Sequence, residues 1–239
     1  MKKILFSILA IAISFAMYSC KDTTGPDDTA TINLRSQLEN STVKLNTLLY
    51  KGNINSSDID SIKIKKVRIL ITEVKFHAAT ETDDSKDNLF KSGPLLLVVD
   101  STGTYIEMAS GTIPSDDYSK LKFEIHRFEA SVLSQYINSS LFNNFATSER
   151  YSVIINGISY KNGIGTRFEY KGTPNVNLTC TFPSNINIPG NQESNFYLMF
   201  DPNYCFKTDS EIYDPSDDSD HNKIDNLIAK AIGVLKKNN

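Results

Sequence analysis

Ile62 and Ile64 alternate with Lys63 and Lys65, a second lysine at 66 breaks the phase, and Val67, Ile69 and Ile71 resume on the opposite parity. Period-two alternation gathers apolar side chains on one face of an extended strand, so this stretch buries an apolar face as β-structure and not as a helix. The doubled lysine predicts a β-bulge or a bend between two strands, since a one-residue slip would otherwise turn every later apolar side chain to water. Leu121, Phe123 and Ile125 repeat the pattern against Lys122, Glu124 and His126.

Further strands are expected at Leu95 to Val99, Thr104 to Met108, Tyr151 to Tyr160, Thr166 to Tyr170, Val176 to Phe182 and Phe196 to Phe200, with weaker ones near Ile32 and over Val43 to Leu49. Turn-forming residues separate most of them: Gly93-Pro94, Ser101-Thr102-Gly103, Pro114 to Asp117, Asn162-Gly163, Gly172 to Pro174 and Pro189-Gly190. Many short strands between turns predict an all-β fold, an antiparallel Greek-key β-sandwich. Ser131 to Phe145 is ambiguous, with a short helix on a crossover as one reading. At the end of the chain, about 221–237, Ile224, Leu227, Ile228, Ala231, Val234 and Leu235 fall at helical spacing. Asp217, Asp218 and Asp220 precede that stretch and Lys236 and Lys237 close it, the polarity a helix dipole favours, so a C-terminal amphipathic helix packed on the sandwich is expected.

The first residues carry a different signal. Lys2 and Lys3 precede an apolar run from Ile4 to Met17, which as a helix reaches roughly 21 Å, short of the roughly 30 Å hydrocarbon core. That is the form of a secretory leader. After Cys20 the chain turns polar, and Lys21 to Thr31 reads as a flexible spacer. The expected organisation is a leader over 1–19, a tether over 20–31 and one domain over 32–239. Lys and Arg number 25 against 28 Asp and Glu, and loss of Lys2 and Lys3 leaves 23 against 28. An acidic mature chain lacks the cationic surface that polyphosphates require, so no nucleic-acid partner is expected.

Met17-Tyr18-Ser19-Cys20 resembles the lipobox of bacterial lipoproteins. That resemblance implies diacylglyceration of the Cys20 thiol, cleavage before it and acylation of the new amine, with the membrane as a partner through these chains. Tyr18 is bulkier than the usual occupant of its position, and cleavage after Ala16, releasing an unanchored protein, stays open. Lys21-Asp22 is similar to a short signal for the outer face of the outer membrane; the cell envelope, most specifically the outer membrane, is the expected location, with its face undecided. A second resemblance, carried by Ile69 to Val74, the strand around Phe123, Tyr151 to Gly157, Phe200-Asp201-Pro202, Asp214-Pro215 and Ile224 to Ile228, is to an uncharacterised family of bacterial lipoproteins. It implies an immunoglobulin-like or transthyretin-like sandwich and transfers no activity.

With Cys20 acylated, Cys180 and Cys205 remain as a candidate disulfide in an oxidising compartment. A hairpin of Val176–Phe182 with Phe196–Phe200 would separate them, and a buried free thiol at Cys180 is the alternative. Asp214, Asp217, Asp218 and Asp220 are candidate calcium ligands, being hard oxygen donors at short spacing. The sequence lacks the glycine and bidentate glutamate of a calcium loop, so a helix-capping acidic turn is the competing reading and no cofactor is required. His77 and His126 fall by parity on polar faces, and no HExxH, C-x-x-C or G-x-S-x-G occurs. Asn162-Gly163-Ile164-Gly165 reads as a hairpin turn. Tyr and Phe can stack on sugars, but Trp, the usual best platform, is absent; by parity Phe168 with Tyr170 and Phe196 with Phe200 belong to the core, and Tyr50, Tyr105, Tyr118, Tyr136 and Tyr204 are the aromatics expected at the surface. The functional expectation is a non-enzymatic binding or structural module contacting an envelope protein or glycan. The alternative is a hydrolase or glycan-processing accessory whose site is not visible in sequence.

Overall fold

The computed structural model describes residues 28–44, 59–83, 87–209 and 211–237. The leader, Cys20, most of the tether, Tyr50 and the stretch 45–49 lie outside the described residues. The described chain is an all-β sandwich of two sheets. Its strands are β1 (Thr29–Leu38), β2 (Thr42–Lys44), β3 (Ser61–Ala78), β4 (Asn88–Asp100), β5 (Ile106–Pro114), β6 (Asp116–Ile125), β7 (Val153–Lys161), β8 (Ile164–Gly172), β9 (Val176–Ile188), β10 (Glu193–Phe200) and β11 (Ile232–Lys237). Short helices α1 (Leu133–Tyr136) and α2 (Asn203–Phe206) and a longer α3 (Asp218–Leu227) interrupt them.

The alternating stretch around Lys65 forms the longest strand. In β3, Ile62, Ile64, Val67 and Ile69 are all buried, while Lys65 and Lys66 are exposed. The pairing with β7 slips between Ile64 and Lys66, which is the bulge the doubled lysine predicts. Gly157 lies opposite it, and a Cβ there would meet the Lys63 carbonyl and the Phe168 ring at 2.6 Å each. The bulge therefore requires glycine on the neighbouring strand.

β3 pairs antiparallel with β7 over its first half and with β6 over Glu73 to Ala78, and β4 runs along Lys66 to Phe76. Because β4 overlaps both stretches, β6 and β7 follow one another along the opposite edge of β3. β9 extends β6 and β8 extends β7 in the same succession. Residues 126–152 leave the sheet where β6 ends and return where β7 begins. They carry a small aromatic cluster in which Phe128 stacks on Tyr136 at 4.4 Å and Phe142 meets both rings edge-on. This cluster covers Leu70 and Ile154, buried side chains on the outer face of the large sheet. Ser131 to Phe145 is thus mostly turns, held by aromatic packing more than by helix.

The second sheet has the order β11-β10-β1-β5. β1 runs parallel to β10 and antiparallel to β5, so the sandwich is not purely antiparallel. Ala30, Ile32, Leu34 and Leu38 face inward, and Phe76 of β3 meets Phe196 of β10 at 5.1 Å, edge to face, across the gap between sheets. Phe90 and Tyr118 close on the same ring.

Four expectations need correction. The tether is shorter than 20–31, because β1 begins at Thr29 and Ala30 is already fully buried. Gly93-Pro94 does not end a strand; β4 passes through it, with shifts in its pairing to β3 on either side of Glu73 and Val74 and Gly93 at φ +90°. β9 pairs with β6 and not with β10, so Val176–Phe182 and Phe196–Phe200 form no hairpin. The C-terminal helix ends at Leu227; a single 3-10 turn follows, and Ile232 to Lys237 pair as β11 with β10. Gly233 disfavours further helix by about 1 kcal/mol, and the otherwise open edge of β10 supplies strand hydrogen bonds.

Replacing Gly157 with alanine is expected to destabilise the domain by about 1–3 kcal/mol, the usual cost of forcing atoms into a filled site. Urea unfolding of the variant against wild type checks this.

Candidate functional site

The outer face of the four-stranded sheet holds the most developed surface array. Asn33, Arg35 and Gln37 alternate outward on β1, opposite the buried Ile32, Leu34 and Ser36. The parallel register sets Tyr197 of β10 beside Arg35 and Asn195 beside Asn33. On the other side, a shift in the β1–β5 pairing between Leu34 and Arg35 sets Glu107 beside Arg35 and Ser110 beside Asn33. Two rows result, one aromatic and cationic, one of amides and hydroxyls.

Arg35 Nη1 donates to the Tyr197 hydroxyl at 3.1 Å, and its guanidinium carbon sits 4.8 Å over the centre of the Tyr105 ring. Tyr105 and Tyr197 meet edge to face at 5.7 Å. The hydrogen bond to Tyr197 raises the Arg35 pKa above its usual value, so the group is a fixed cation. Tyr105 is 55% exposed while Tyr197 is 6% exposed: the second ring is the floor and the first the surface. Arg35 Nε is buried without a hydrogen-bond partner among the described residues.

The sequence Asp100 to Tyr105 holds that ring in place. Thr102 donates its hydroxyl and, at 2.9 Å, its backbone N–H to Asp100 Oδ1. These bonds keep the Asp100 carboxyl below the usual aspartate range, the hydroxyl's contribution being the larger. Gly103 turns the chain at φ +75°, a conformation glycine adopts without penalty, and its carbonyl accepts from Gln37 Nε2 at 2.9 Å. Tyr105 is thus set by its own loop and by β1.

A polar cleft of about 280 Å³ lies on the outer face of the large sheet, lined in part by Glu73, Lys75, Asp87, Lys122 and Glu124. Three carboxylates meet there, the arrangement an acid–base site would use, yet each has a basic side chain beside it. Lys75 pairs with Glu73, Lys122 Nζ lies 2.9 Å from Asp87 Oδ2, and His126 Nδ1 lies 3.7 Å from Glu124. His77 shares the face of Lys75, as its parity predicts, but is buried there beside this cleft. Its Nδ1 meets Asp87 Oδ1 at 2.5 Å and its Nε2 meets the Glu81 carbonyl at 3.0 Å, so the two ring nitrogens tie Glu81 and Asp87 to β3. The β3–β6 register runs unbroken from Lys75, opposite Lys122, to His77, opposite Lys120, so burial of the ring comes from Glu81 and Asp87 and not from a change of face.

Cys180 and Cys205 are free thiols and form no disulfide. Cys180 lies opposite Leu121, itself opposite Phe76; Cys205 lies on α2 near Tyr170, and Tyr170 is carried through Ile155 to Val67. Nine residues of β3 separate those two points, up to about 30 Å in extended chain. Burial pushes the Cys180 thiol up to about 11 and the Cys205 thiol well above its usual value.

The four candidate calcium ligands do not converge. Asp217 caps α3 by accepting from Ser219 N at 2.9 Å, Asp214 Oδ1 accepts from Ser216 N and Oγ, Asp220 accepts from Asp214 N and Lys223, and Asp218 lies within 3.7 Å of His221. No cluster of three or more metal-ligating side chains occurs among the described residues. Asp225, further along α3, accepts from the buried Tyr170 hydroxyl and from Thr173 N at 3.2 Å, fastening the helix to β8.

Of the tyrosines expected at the surface, Tyr105 and Tyr204 are exposed at 55% and 59%, and Tyr136 is half-buried. Tyr118 is fully buried, with its pKa pushed up to about 12 by burial. Arg35 and Tyr197 were not singled out in the sequence. Their odd parity was visible there, but their contact depends on a parallel pairing across 162 residues.

No protein-family model matches the chain, and no curated protein sequence is similar to it. Among solved structures, MbnP from Methylosinus trichosporium is similar over 74% of this chain and 78% of that one, at 12% identity and a TM-score of 0.44. No helix among the described residues is long and apolar enough to cross a membrane.

Asp100→Ala is expected to leave global stability within about 0.5 kcal/mol of wild type, as surface changes usually do, while speeding amide hydrogen exchange at Thr102 to Tyr105. Because the folded Asp100 pKa is depressed, its hold on the loop is complete above the usual aspartate range and is lost as pH falls through the lower folded value. Exchange measured across acid pH should show the 102–105 amides losing protection in wild type and no such step in Asp100→Ala.

Proposed function

We propose that this chain is a lipid-anchored cell-envelope protein acting as a non-enzymatic binding module, held at the outer membrane through acyl chains on Cys20. The observation that carries this reading is the position of the Tyr105–Arg35–Tyr197 array at the far end of β1 from its start. Asp28 sits against the Gly190–Asn191 turn and accepts from Ser115 N at 2.6 Å, so the chain enters the sandwich at one pole. Eight residues from Cys20 to Asp28 reach at most about 29 Å. Arg35 lies six strand residues beyond Thr29, about 20 Å further along β1. An anchored sandwich would hold its entry pole near the bilayer and its aromatic array toward partners. Two or more acyl chains give stable attachment where one is marginal.

The partners in this reading are an envelope protein or glycan. Its mildly acidic composition, 25 basic against 28 acidic residues, supports no nucleic-acid role. We further infer a Greek-key path, since β1 and β10, distant in sequence, lie side by side, and membership of the uncharacterised lipoprotein sandwiches the sequence resembles.

Metabolic labelling with a palmitate analogue tests the anchor. Wild type should be labelled and sediment with membranes, and Cys20→Ala should lose the label. A mature chain beginning at Met17 and unlabelled in both forms would overturn the reading.

A further inference from the structure

We propose that the outer face of the four-stranded sheet, at Asn33, Arg35 and Tyr105, is a binding site for a neutral polysaccharide. This rests on the binding-module reading above and names its ligand class and its residues. Sugar rings offer two features: faces of polarised C–H groups and edges of closely spaced hydroxyls. An aromatic face carries the negative part of its quadrupole toward such C–H groups. Tyr105 supplies that face at the surface, 55% exposed, and is already fixed by Arg35, Tyr197 and the Asp100–Gly103 loop. A ring held in place before binding loses little conformational freedom when a ligand arrives.

The hydroxyl-binding groups lie one strand step away, about 6.6–7 Å along β1. Asn33 Oδ1 accepts from Ser110 Oγ at 2.9 Å, but Asn33 Nδ2 reaches Asn195 Oδ1 and Glu193 Oε2 only at 3.4 Å. Those donor contacts are long, and a ligand hydroxyl at 2.8–3.0 Å would be a better acceptor by ordinary hydrogen-bond geometry, about 2.7–3.2 Å. Among the described residues, the hydrogen bond of the Arg35 guanidinium to Tyr197 uses one of its five N–H groups, leaving donors beside the Tyr105 ring.

Charge selects among ligands. The register places two cations, Arg35 and Lys237, and two carboxylates, Glu107 and Glu193, on this face, so an anionic polymer gains no net attraction, while carboxylates and amides suit uncharged hydroxyls. A protein partner would require a desolvated apolar centre. Beside Tyr105, the exposed apolar side chain of this face is Leu235, in register with Tyr197 at the sheet edge, and the surface between them is polar.

The test is affinity electrophoresis of the full-length protein in detergent through gels containing hydroxyethylcellulose, galactomannan or polygalacturonate. Retardation by a neutral polymer is expected, weakened about fivefold or more by Tyr105→Ala, the scale of one aromatic contact, and also by Arg35→Gln. Tyr204→Ala, at an exposed tyrosine elsewhere, should change nothing. An unfolding midpoint matching wild type shows that Tyr105→Ala is folded. Retardation that both Tyr105→Ala and Arg35→Gln leave intact would overturn the site, and retardation by polygalacturonate alone would overturn the neutral ligand. If no polymer retards the protein, the proposal fails. Saturable binding of the labelled protein to isolated envelopes then shows whether the binding-module reading survives it.

Discussion

β3 is the strand on which the rest of the sandwich depends. It is long enough to pair in turn with β2, β4, β6 and β7, and a strand of that length cannot keep one apolar face unless its twist is interrupted. The Lys65-Lys66 bulge supplies the interruption, and Gly157 gives it room. Phe76, near the other end of the strand, reaches Phe196 across the gap and fixes the second sheet to the first. The segment 126–152 can leave and rejoin the sheet without disordering it, because β3 and β4 continue beneath the break.

From that frame follows the surface array. β10 lies parallel to β1 only because the chain crosses between sheets after β9, and the parallel register is what brings Tyr197 under Arg35. The β1–β5 slip at Leu34/Arg35 then delivers the 101–105 loop over the guanidinium. Core packing inside the sandwich and a polar, aromatic face outside it are two sides of the same alternation on β1. The acidic segment before α3 serves the fold: its carboxylates cap and staple, and Asp225 ties the helix to Tyr170.

Local signals were legible in the sequence, and pairings were not. The alternation of Ile62 to Ile71, the bulge at the doubled lysine and the Asn162-Gly163 turn each rest on neighbouring residues, and the structure reproduces them. The end of the chain supports two periods at once: Ile224, Ile228 and Ala231 fit a helix, whereas Ile232 to Lys237 fit a strand once β10 offers an edge. Propensity has no access to that edge. His77 keeps the face of Lys75 that its parity predicts, but its burial comes from a contact with Asp87, ten residues on, that parity does not show. For the candidate site, Tyr105 was legible as a surface aromatic, but Arg35 and Tyr197 became a pair only through a long-range register.

The central claim is that an anchored sandwich turns its entry pole to the membrane and its aromatic array away from it. Energy transfer from a dye at either Thr102 or Asn191 to acceptors in the lipid headgroups of vesicles carrying the acylated protein tests this most directly. Because Asn191 lies against Asp28 and Thr102 lies in the loop at the far end of β1, transfer should be clearly stronger from position 191. Equal transfer from both positions, or stronger transfer from 102, would contradict the account.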